Sequence, residues 1–400
     1  MKSRKYGCRQ IAGGILAVAV PLFLFGQSAA AQEEIVIGAT IAQSGRLMGI
    51  VRPFPKLGEA WAKSINARGG IKLSKLGKSL PVRFVLYDDQ SKPPTALKFY
   101  ERLATVDKVH VFMGPFSSFV TNAALQATAT HKIPFFMVES NDSVMFDKPN
   151  AWRTAGLGPA AWEHRRIVDL YKAKGGVKSF ALVSRDNLHE NQALQGFADA
   201  VKKAGMKVVY QNNIPKDTKD FSSTILAIKG AKADAVFVEN IAPPWTIAFL
   251  KQAREQGLNP REFIVGHMPI PVIKAMGGWS ENVVSSSYVF DGDTADHKEL
   301  EALCKAAGFQ CWQYPEAGIR YNTYKRLADS LERAGSLDRE AIRKAMWATN
   351  LPLFGGEVVV KHDQRGYGSL YAWPIQIRGG KPVSLWPLSA GTGKHRPKNP

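Results

Sequence analysis

Short apolar runs alternate along the chain with segments whose apolar residues recur at helical spacing. The first runs that predict strands are Ile35–Ala39, Val82–Tyr87, Val109–Met113 and Pro134–Val138. The segments that predict helices between them are 56–67, 94–104 and 119–130. Strands that alternate with helices of this length are typical of βαβ units, in which helices cover both faces of a parallel sheet. The first part of the chain therefore predicts an α/β lobe.

The same alternation begins again after a break at Thr154–Gly158. The predicted strands of this second run are 179–184, 207–210, 235–238 and 263–265, and its predicted helices are 160–174, 192–204, 221–228 and 244–256. The last third is mixed, with predicted helices at 300–307, 319–334 and 339–349 and predicted strands at 283–290, 357–360 and 371–377. Two runs of this kind indicate an α/β protein with two parallel-sheet lobes.

The first 31 residues have the pattern of a secretory signal peptide. Four basic residues within positions 1–10 precede an apolar run from Ile11 to Phe25, and the segment ends on three alanines at 29–31. The apolar run is shorter than the roughly 20 residues that a transmembrane helix needs. We therefore expect cleavage after Ala31 and a soluble protein in the periplasm.

The composition is that of a globular protein, but the charge is unusual. Hydrophobic residues make up 45% and charged residues 22% of the 400 positions, which excludes a disordered chain. The formal net charge is +19, a surplus that invites a nucleic-acid interpretation. Four of these charges leave with the signal peptide, and the rest form no basic stripe. We therefore expect no nucleic-acid partner, and a basic cleft that attracts an anionic solute.

Export also changes the chemistry expected of the three cysteines. Cys8 leaves with the signal peptide, whereas Cys304 and Cys311 remain together in an oxidising compartment. We predict a disulfide between them, with free thiols as the alternative. Two cysteines give too few ligands for zinc, and we predict no metal site.

The sequence carries no motif of a known catalytic site. It lacks the G-x-x-x-x-G-K-[ST] phosphate loop, the H-E-x-x-H zinc motif and the G-x-S-x-G elbow. The segment Gly156–Ala161 fits G-x-G-x-x-A but follows no apolar strand, so a hinge or loop is favoured over a cofactor site. Ser117 or Ser118, Asp186 and His189 could form a catalytic set on paper, but no spacing supports it. We predict no enzyme activity and no cofactor.

Candidate binding residues follow the predicted strands, because ligands of parallel sheets bind at the carboxyl ends of the strands. These candidates are Ser44, Ser117, Ser118, Glu139, Ser140, Asn141, His189, Asn240, His267 and Met268. The serines and asparagines could instead cap the following helices, and the histidines could be surface or core residues. Glu139, Glu190 and Glu239 could form a cluster for a cationic group or be ordinary solvated acids.

The chain also contains I-N-A-R-G-G-I at 65–71, Y-D-D-Q-S-K-P at 87–93, G-P-F-S-S at 114–118 and L-K-Q-A-R-E-Q-G-L at 250–258. In this order, after a signal peptide, these stretches resemble the leucine/isoleucine/valine-binding family of periplasmic substrate-binding proteins. Members of that family serve ABC importers of branched-chain amino acids, amides and related small solutes. The resemblance extends over nearly the whole mature chain.

The resemblance implies a type I periplasmic binding protein fold, in which two doubly wound lobes close on a ligand about a hinge of three crossovers. We place the crossovers near 154–158, 286–291 and 362–366. Lobe 1 then comprises 32–155 and 288–363, and lobe 2 comprises 156–287 and 364–390. The basic tail 391–400 is expected to be disordered.

The resemblance further implies a monomeric solute-binding component of an ABC importer. Its partners would be a small polar or anionic solute and the permease and ATPase of the importer. A two-lobed sensor that signals to a membrane partner, and an exported hydrolase, are the alternatives.

The amino-acid clamp of the family is only partly matched. Ser118 matches the serine that meets the α-carboxylate of the ligand. Glu139 and Asn141 stand where the family has a small residue and a threonine, and His189 stands where it has an aromatic residue. Met268, beside His267, replaces the acid that pairs with the α-ammonium. A desolvated ammonium without a partner is costly, so an amide, a carboxylate or an aromatic acid fits at least as well, unless Glu139 or Glu190 supplies the charge.

Overall fold

The computed structural model describes residues 33–388 and 394–399. The strands within these ranges are β1 Ile35–Ile41, β2 Ile71–Leu73, β3 Lys78–Leu80, β4 Val82–Asp88, β5 Val111–Met113, β6 Phe135–Met137, β7 Arg153–Ala155, β8 Ser179–Arg185, β9 Lys207–Ile214, β10 Ala235–Glu239, β11 Glu262–His267, β12 Val284–Ser287, β13 Asn350–Leu353, β14 Val358–Lys361, β15 Trp373–Arg378 and β16 Lys381–Ser384. They form two main sheets and two short hairpins, β2–β3 and β13–β14.

Helices alternate with these strands. Their bounds are α1 Met48–Val51, α2 Phe54–Ala67, α3 Pro93–Thr105, α4 Ser118–His131, α5 Arg165–Lys174, α6 Leu188–Lys203, α7 Ser222–Ala231, α8 Pro243–Glu255, α9 Ile270–Met276, α10 Ala295–Ala306, α11 Ala317–Ala334 and α12 Arg339–Trp347. In the part of the chain that the structure describes, no helix is long and apolar enough to cross a membrane. The predicted signal peptide and its cleavage after Ala31 lie outside the described residues.

The first sheet, which we call the sheet of lobe 1, has the order β4-β1-β5-β6-β7 and is parallel throughout. Ile35 and Ile37 of β1 join the apolar core that includes residues of α2, α10 and α11. Val36 points the other way, into the core that includes Tyr100 of α3 and Ala124 of α4. Because strand side chains alternate between faces, a continuous apolar run is buried on both sides between two helical layers.

The second sheet, which we call the sheet of lobe 2, has the order β16-β15-β12-β11-β10-β8-β9. Its pairs are parallel from β12 to β9, and β15 and β16 are added as antiparallel strands at the other edge. Val236 of β10 packs with Phe249 of α8, whereas its neighbour Phe237 packs with Phe197 of α6. Both lobes are thus doubly wound α/β sheets, as the alternating pattern predicts.

In the described part of the chain, the backbone crosses between the lobe of the first sheet and the lobe of the second sheet three times, after β7, β12 and β14. The first and third passages run side by side. The Gly158 N–H donates to the Leu370 carbonyl at 3.0 Å, and the Gly368 N–H donates to the Leu157 carbonyl at 2.8 Å. The strands of the two main sheets lie on opposite sides of the predicted lobe boundaries, β13 and β14 pair only with each other, and we keep those boundaries as our proposal for the lobes.

The end of the chain differs from the expected disordered tail where the structure describes it. His395 is buried, and its ring lies edge-on to that of Tyr171 in lobe 2. The Lys398 ammonium donates to the Glu281 carbonyl at 2.9 Å. The Arg396 N–H donates to Gln376 at 3.1 Å. Residues 394–399 are thus packed on lobe 2. Oxygen atoms of lobe 2 accept hydrogen bonds from their N–H groups, whereas the basic sequence alone predicts that these residues face solvent.

His362, in the third passage, is expected to make the fold sensitive to acid. Burial, together with the nearby Arg326 guanidinium, lowers the pKa of His362 to about 3, whereas histidine in an unfolded chain has a pKa of about 6.5. The contribution of His362 to stability is therefore fully present above pH 6.5 and is lost as the pH falls toward 3, by at most about 1.4 kcal/mol per pH unit. We expect His362→Gln to flatten this dependence in urea unfolding curves; an unchanged slope would contradict the assignment.

The structure joins Cys304 of α10 to Cys311 by a disulfide, with 5.4 Å between the two Cα atoms. Both cysteines are buried in the core of lobe 1. The bridge therefore fixes the end of α10 to the turn that leads into α11.

Replacing both cysteines with serine is expected to lower the free energy of unfolding by about 2.5 kcal/mol, because a cross-link over this short separation restricts the unfolded chain. Urea denaturation of the double variant and of the wild type measures the difference. The wild type in excess reductant should lose a similar amount. Equal midpoints for the oxidised wild type and the double variant would show that the bridge contributes nothing.

Candidate functional site

Five ionisable side chains meet at the carboxyl ends of the lobe 2 strands. Glu239 ends β10, His267 ends β11, and His189 lies in the first turn of α6, directly after β8. Glu163 and His164 lie just before α5. We call these five residues the histidine–carboxylate cluster. It occupies the edge of the sheet where parallel α/β folds bind ligands.

Glu163 and His164 enter the cluster because the predicted helix 160–174 is interrupted. Residues Ala160–Trp162 form a single 3₁₀ turn, and α5 begins only at Arg165. The prediction of one helix from 160 is therefore wrong. His164 has φ −101° and ψ 9°, outside the helical range, and this bend lets its side chain lie fully buried beside Glu239.

Short distances connect the members of the cluster. His164 Nε2 lies 2.9 Å from Glu239 Oε2. His189 Nε2 lies 3.3 Å from Glu163 Oε2. His267 Nε2 lies 3.6 Å from both Glu163 Oε1 and Glu239 Oε1. One ring nitrogen of each histidine therefore faces carboxylate oxygens.

Burial and the attraction between opposite charges shift the pKa values of these groups in opposite directions. Burial by itself would lower the pKa of His164, but the Glu239 carboxylate raises it overall. Burial would raise the pKa of Glu239, but His164 holds it below its usual range. The pKa of His267 is lowered, because burial outweighs its two carboxylate neighbours. The cluster therefore keeps its carboxylates ionised at neutral pH.

Gly266 leaves the space that the Glu239 carboxylate fills. A Cβ atom at position 266 would lie 1.8 Å from Glu239 Oε2 and 3.2 Å from His164 Nε2. The backbone of β11 also shifts register against β12 at this point, between Val265 and His267. The glycine and the bulge together let strand backbone approach a buried acid.

Lobe 1 reaches the cluster through the loop that follows β6. Asp142 Oδ1 accepts a hydrogen bond from His189 Nδ1 at 2.7 Å. Ser118 holds this loop, because its hydroxyl oxygen accepts from the Asn141 and Asp142 N–H groups at 3.2 and 3.3 Å. Asn141 Nδ2 donates to the Gly158 carbonyl at 3.1 Å. Three predicted candidates, Ser118, Asn141 and His189, thus form one bridge between the lobes.

A second contact between the lobes lies next to this bridge. Gln192 of α6 donates to Ser143 Oγ at 3.0 Å and accepts from the Ser143 N–H at 3.1 Å. The Tyr288 hydroxyl, in the second passage between the sheets, donates to Glu163. The two lobes therefore meet around the cluster, in a closed arrangement.

Glu139, another predicted candidate, is held by an arginine. Its two carboxylate oxygens lie 2.8 and 2.9 Å from Nε and a terminal nitrogen of Arg320, and both side chains are buried. Burial raises the pKa of Glu139 to about 7, although Arg320 opposes the shift. In the closed form this pair neutralises itself, so neither charge is available to a solute.

Lobe 1 also contains a cavity of about 310 Å³ beneath α2. Its walls include Phe54, Phe84, Met113 and Tyr324, with Arg320 at one side. The lining residues all belong to lobe 1, and Arg320, one of the polar residues among them, is already paired with Glu139. The polar groups at the contact between the lobes are instead those of the histidine–carboxylate cluster.

A family model described as "Periplasmic binding protein" matches residues 34–381, which is most of the chain. The chain belongs to the periplasmic binding protein family. The family consists of solute-binding proteins that act outside the cytoplasm, and the type I fold predicted from the sequence is confirmed.

Relatives and solved structures agree with this assignment. The chain is 24% identical, over 96% of its length and 98% of the relative, to "Leu/Ile/Val-binding protein homolog 7" of Brucella suis. It is similar, at TM-score 0.70 and 19% identity, to the branched-chain amino acid substrate-binding protein of Streptococcus pneumoniae in complex with isoleucine, covering 88% of this chain and 98% of that one. It is also similar, at TM-score 0.72 and 19% identity, to a Rhodopseudomonas palustris solute-binding protein in complex with 4-hydroxybenzoate, covering 88% and 95%. The predicted resemblance to the leucine/isoleucine/valine-binding family is confirmed.

The remaining candidates in lobe 1 of this periplasmic binding protein support their own loops. The Ser44 hydroxyl donates to Asp88 at 2.6 Å. Ser117 precedes α4, and its N–H donates to the carbonyl of residue 139 at 3.2 Å. The Ser140 and Thr121 hydroxyl oxygens are 2.5 Å apart. Direct contacts of these serines with a solute stay a prediction.

In lobe 2 the structure separates the remaining candidates. Asn240 turns back on its own loop and donates to the Ala242 carbonyl at 2.6 Å. Met268 is buried in the core of lobe 2 with Val265 and Val272. His189 and His267, by contrast, both belong to the cluster.

Sequence reasoning missed Glu163 and His164, because both lie inside a segment whose spacing predicts a helix. It also expected a basic cleft, whereas the centre of this cleft is rich in acids. Glu190 and Glu239 are fully buried rather than solvated. A net charge summed over 400 residues carries no information about one buried cluster.

Proposed function

We propose that this periplasmic binding protein is the solute-binding component of an ABC importer, which delivers its solute to a membrane permease driven by an ATPase. The observation that carries the proposal is the position of the histidine–carboxylate cluster, at the strand ends of lobe 2 and opposite Asp142 of lobe 1. The leucine/isoleucine/valine-binding relatives and the ligand-bound neighbours of the same fold support it.

The paired charges in the cleft disfavour an anionic solute. A carboxylate placed against the cluster would meet Glu163 and Glu239, and the histidines His189 and His164 that face these acids are already paired with them, so the cluster offers a solute carboxylate no unpaired cation. The Arg320 guanidinium of lobe 1 is already paired with Glu139. A benzoate or the carboxylate of an amino acid is therefore a poor match for this cleft.

The contacts between the lobes stabilise the closed form that the proposed function requires. Asp142 and Ser143 of lobe 1 hold His189 and Gln192 at the start of α6. Neither Ser143 nor Gln192 belongs to the cluster, so both act on closure without offering a ligand atom. A solute that binds the closed form more tightly than the open form shifts the protein toward closure.

The proposal is tested by uptake and by scattering together. Deleting the gene from its host should abolish high-affinity uptake of one solute, and the wild-type gene should restore it. A gene carrying Gln192→Ala should restore uptake only at higher solute concentration, because the closed form is weakened. Small-angle scattering should show that the purified wild type becomes more compact when that solute is added.

Two results would contradict the proposal. The first is a purified protein whose melting temperature and radius respond to no amino acid, aromatic acid, polyamine or metal salt, since binding to the folded state raises the melting temperature by mass action. The second is clear binding of a solute whose uptake is unchanged in the deletion strain.

A further inference from the structure

Two overlapping groups of ligand atoms lie within the histidine–carboxylate cluster. Atoms of Glu163, His164 and His267 lie within 4.8 Å of one another, and so do atoms of His189, Glu239 and His267. His267 belongs to both groups and lies between the two carboxylates. The two groups share His267 and together comprise three imidazoles and two carboxylates.

The outer nitrogen of two of these imidazoles is already occupied. The Ser286 hydroxyl donates to the Gly266 carbonyl at 2.7 Å, so its oxygen, 2.9 Å from His164 Nδ1, is the acceptor there. Asp142 similarly accepts from His189 Nδ1. Both rings therefore carry hydrogen on Nδ1 and present Nε2 to the cluster. This is the arrangement in which outer partners orient histidines that bind metal ions.

In the described part of the chain, His267 Nε2 and Glu239 Oε1 are buried without a hydrogen-bond partner. They lie 3.6 Å apart, which is too far for a hydrogen bond. The other two imidazoles each lie against a carboxylate, at 2.9 and 3.3 Å. A ring nitrogen and a carboxylate oxygen that face each other in a buried site without a hydrogen bond match the two ligand types that a cation placed between them would bind. Each of the two groups of three residues, joined at His267, offers a site for such a cation.

We infer that the histidine–carboxylate cluster binds a divalent transition-metal ion. The imidazole nitrogens select zinc, nickel, cobalt or copper over calcium and magnesium, which prefer oxygen ligands. The two carboxylates supply negative charge to balance the ion. The further statement that this ion, bare or chelated, is the imported solute rests on the proposed function.

All five ligand residues come from lobe 2, whereas lobe 1 supplies Asp142 behind His189. Opening the lobes would remove the hydrogen bond that fixes the His189 ring. Because outer partners typically change metal affinity by about 10–100-fold, an ion in the cluster stabilises the closed form. Metal binding and closure are therefore coupled through this contact, and the Tyr288 hydroxyl, which donates to Glu163, is a second contact to a ligand residue.

The inference is tested with the full mature protein after chelator treatment and removal of the chelator. Isothermal titration with Zn²⁺, Ni²⁺, Co²⁺, Mg²⁺ and Ca²⁺ should show one site that binds the first three ions and neither of the last two. His267→Ala and Glu239→Gln should each weaken Zn²⁺ binding by at least about 100-fold, and Asp142→Asn by about 10-fold. The visible spectrum of the Co²⁺ complex should report nitrogen and oxygen ligands and change in His267→Ala.

His131→Ala is the matched control. His131 also lies against a carboxylate, with Nε2 2.6 Å from Glu101 Oε2, but it ends α4 in lobe 1 and is not a member of the cluster. It should bind Zn²⁺ like the wild type. Melting curves establish that every variant is folded before its affinity is compared.

The outcomes separate the inference from the proposed function. If the transition-metal ions bind no better than Mg²⁺, or if His267→Ala binds Zn²⁺ as well as His131→Ala does, the inference is overturned, while an organic solute that closes the lobes would leave the importer proposal standing. If Zn²⁺ binds with the expected variant pattern but deletion of the gene changes uptake of no metal ion or other solute, the metal site stands and the importer proposal falls.

Discussion

Replacing Arg320 with methionine is expected to lower the free energy of unfolding by about 3–5 kcal/mol, because it leaves the Glu139 carboxylate buried without a counter-charge. Both residues are almost inaccessible to water, and the guanidinium also stacks over the Phe54 ring. The loss should be larger at pH 8 than at pH 5. At the lower pH Glu139, whose pKa is already raised to about 7, takes up a proton instead of staying charged. Urea unfolding at the two pH values measures both effects.

A double variant separates this explanation from a simple packing defect. Arg320→Met combined with Glu139→Met removes both charges, and buried ion pairs replaced by apolar groups often cost little. We expect the double variant to recover most of the stability lost by Arg320→Met and to lose the extra pH dependence. Equal destabilisation of the single and double variants would show that the charge of Glu139 is not the cause.

A further large effect is expected at Gly196 of α6, which packs against the 3₁₀ turn before α5. A Cβ atom at this position would lie 1.7 Å from the Ala161 carbonyl oxygen. Alanine favours a helix over glycine by about 1 kcal/mol, but a backbone atom cannot rotate away, and overpacking costs about 1–3 kcal/mol or more. Gly196→Ala is therefore expected to be destabilised by about 2 kcal/mol and to displace Glu163 and His164.

Gly230→Ala supplies the control for this prediction. Gly230 lies in α7, and a Cβ atom there meets nothing within 4 Å. The same substitution should therefore stabilise the protein by up to about 1 kcal/mol. Thermal and urea unfolding compare the two variants directly. If Gly196→Ala and Gly230→Ala change the free energy of unfolding in the same direction, the contact between α6 and the 3₁₀ turn leaves room for a side chain at position 196, and the prediction is wrong.

The fold could be predicted because the local spacing of apolar residues indicates which segments are strands and which are helices. Apolar runs such as 235–238 are buried on both faces, and the helices between them show one apolar side. Parallel strands then bring their carboxyl ends to one edge, which is how His189 and His267 could be selected from the sequence. Their carboxylate neighbour Glu239 was noted for the same reason, although its burial was not expected.

The rest of the site depends on geometry that spacing does not contain. Segment 160–174 has a helical pattern throughout, and nothing in it reveals the bend that turns Glu163 and His164 into the cleft. The pairing of Glu139 with Arg320 joins residues 181 positions apart. The buried acids at the centre of the cleft were not expected, because a net charge summed over the whole chain does not show where individual charges lie.

The contact between Asp142 and His189 has a kinetic consequence. Because all five residues of the cluster belong to lobe 2, the proposed function implies that a solute is captured on that lobe while the cleft is still open, at a rate that depends on lobe 2 alone. The contact from lobe 1 would form afterwards and lengthen the residence time of the solute. In the proposed importer, separating the lobes would leave the solute on lobe 2 with weakened contacts, and the rate of release would follow the rate at which the Asp142–His189 contact breaks.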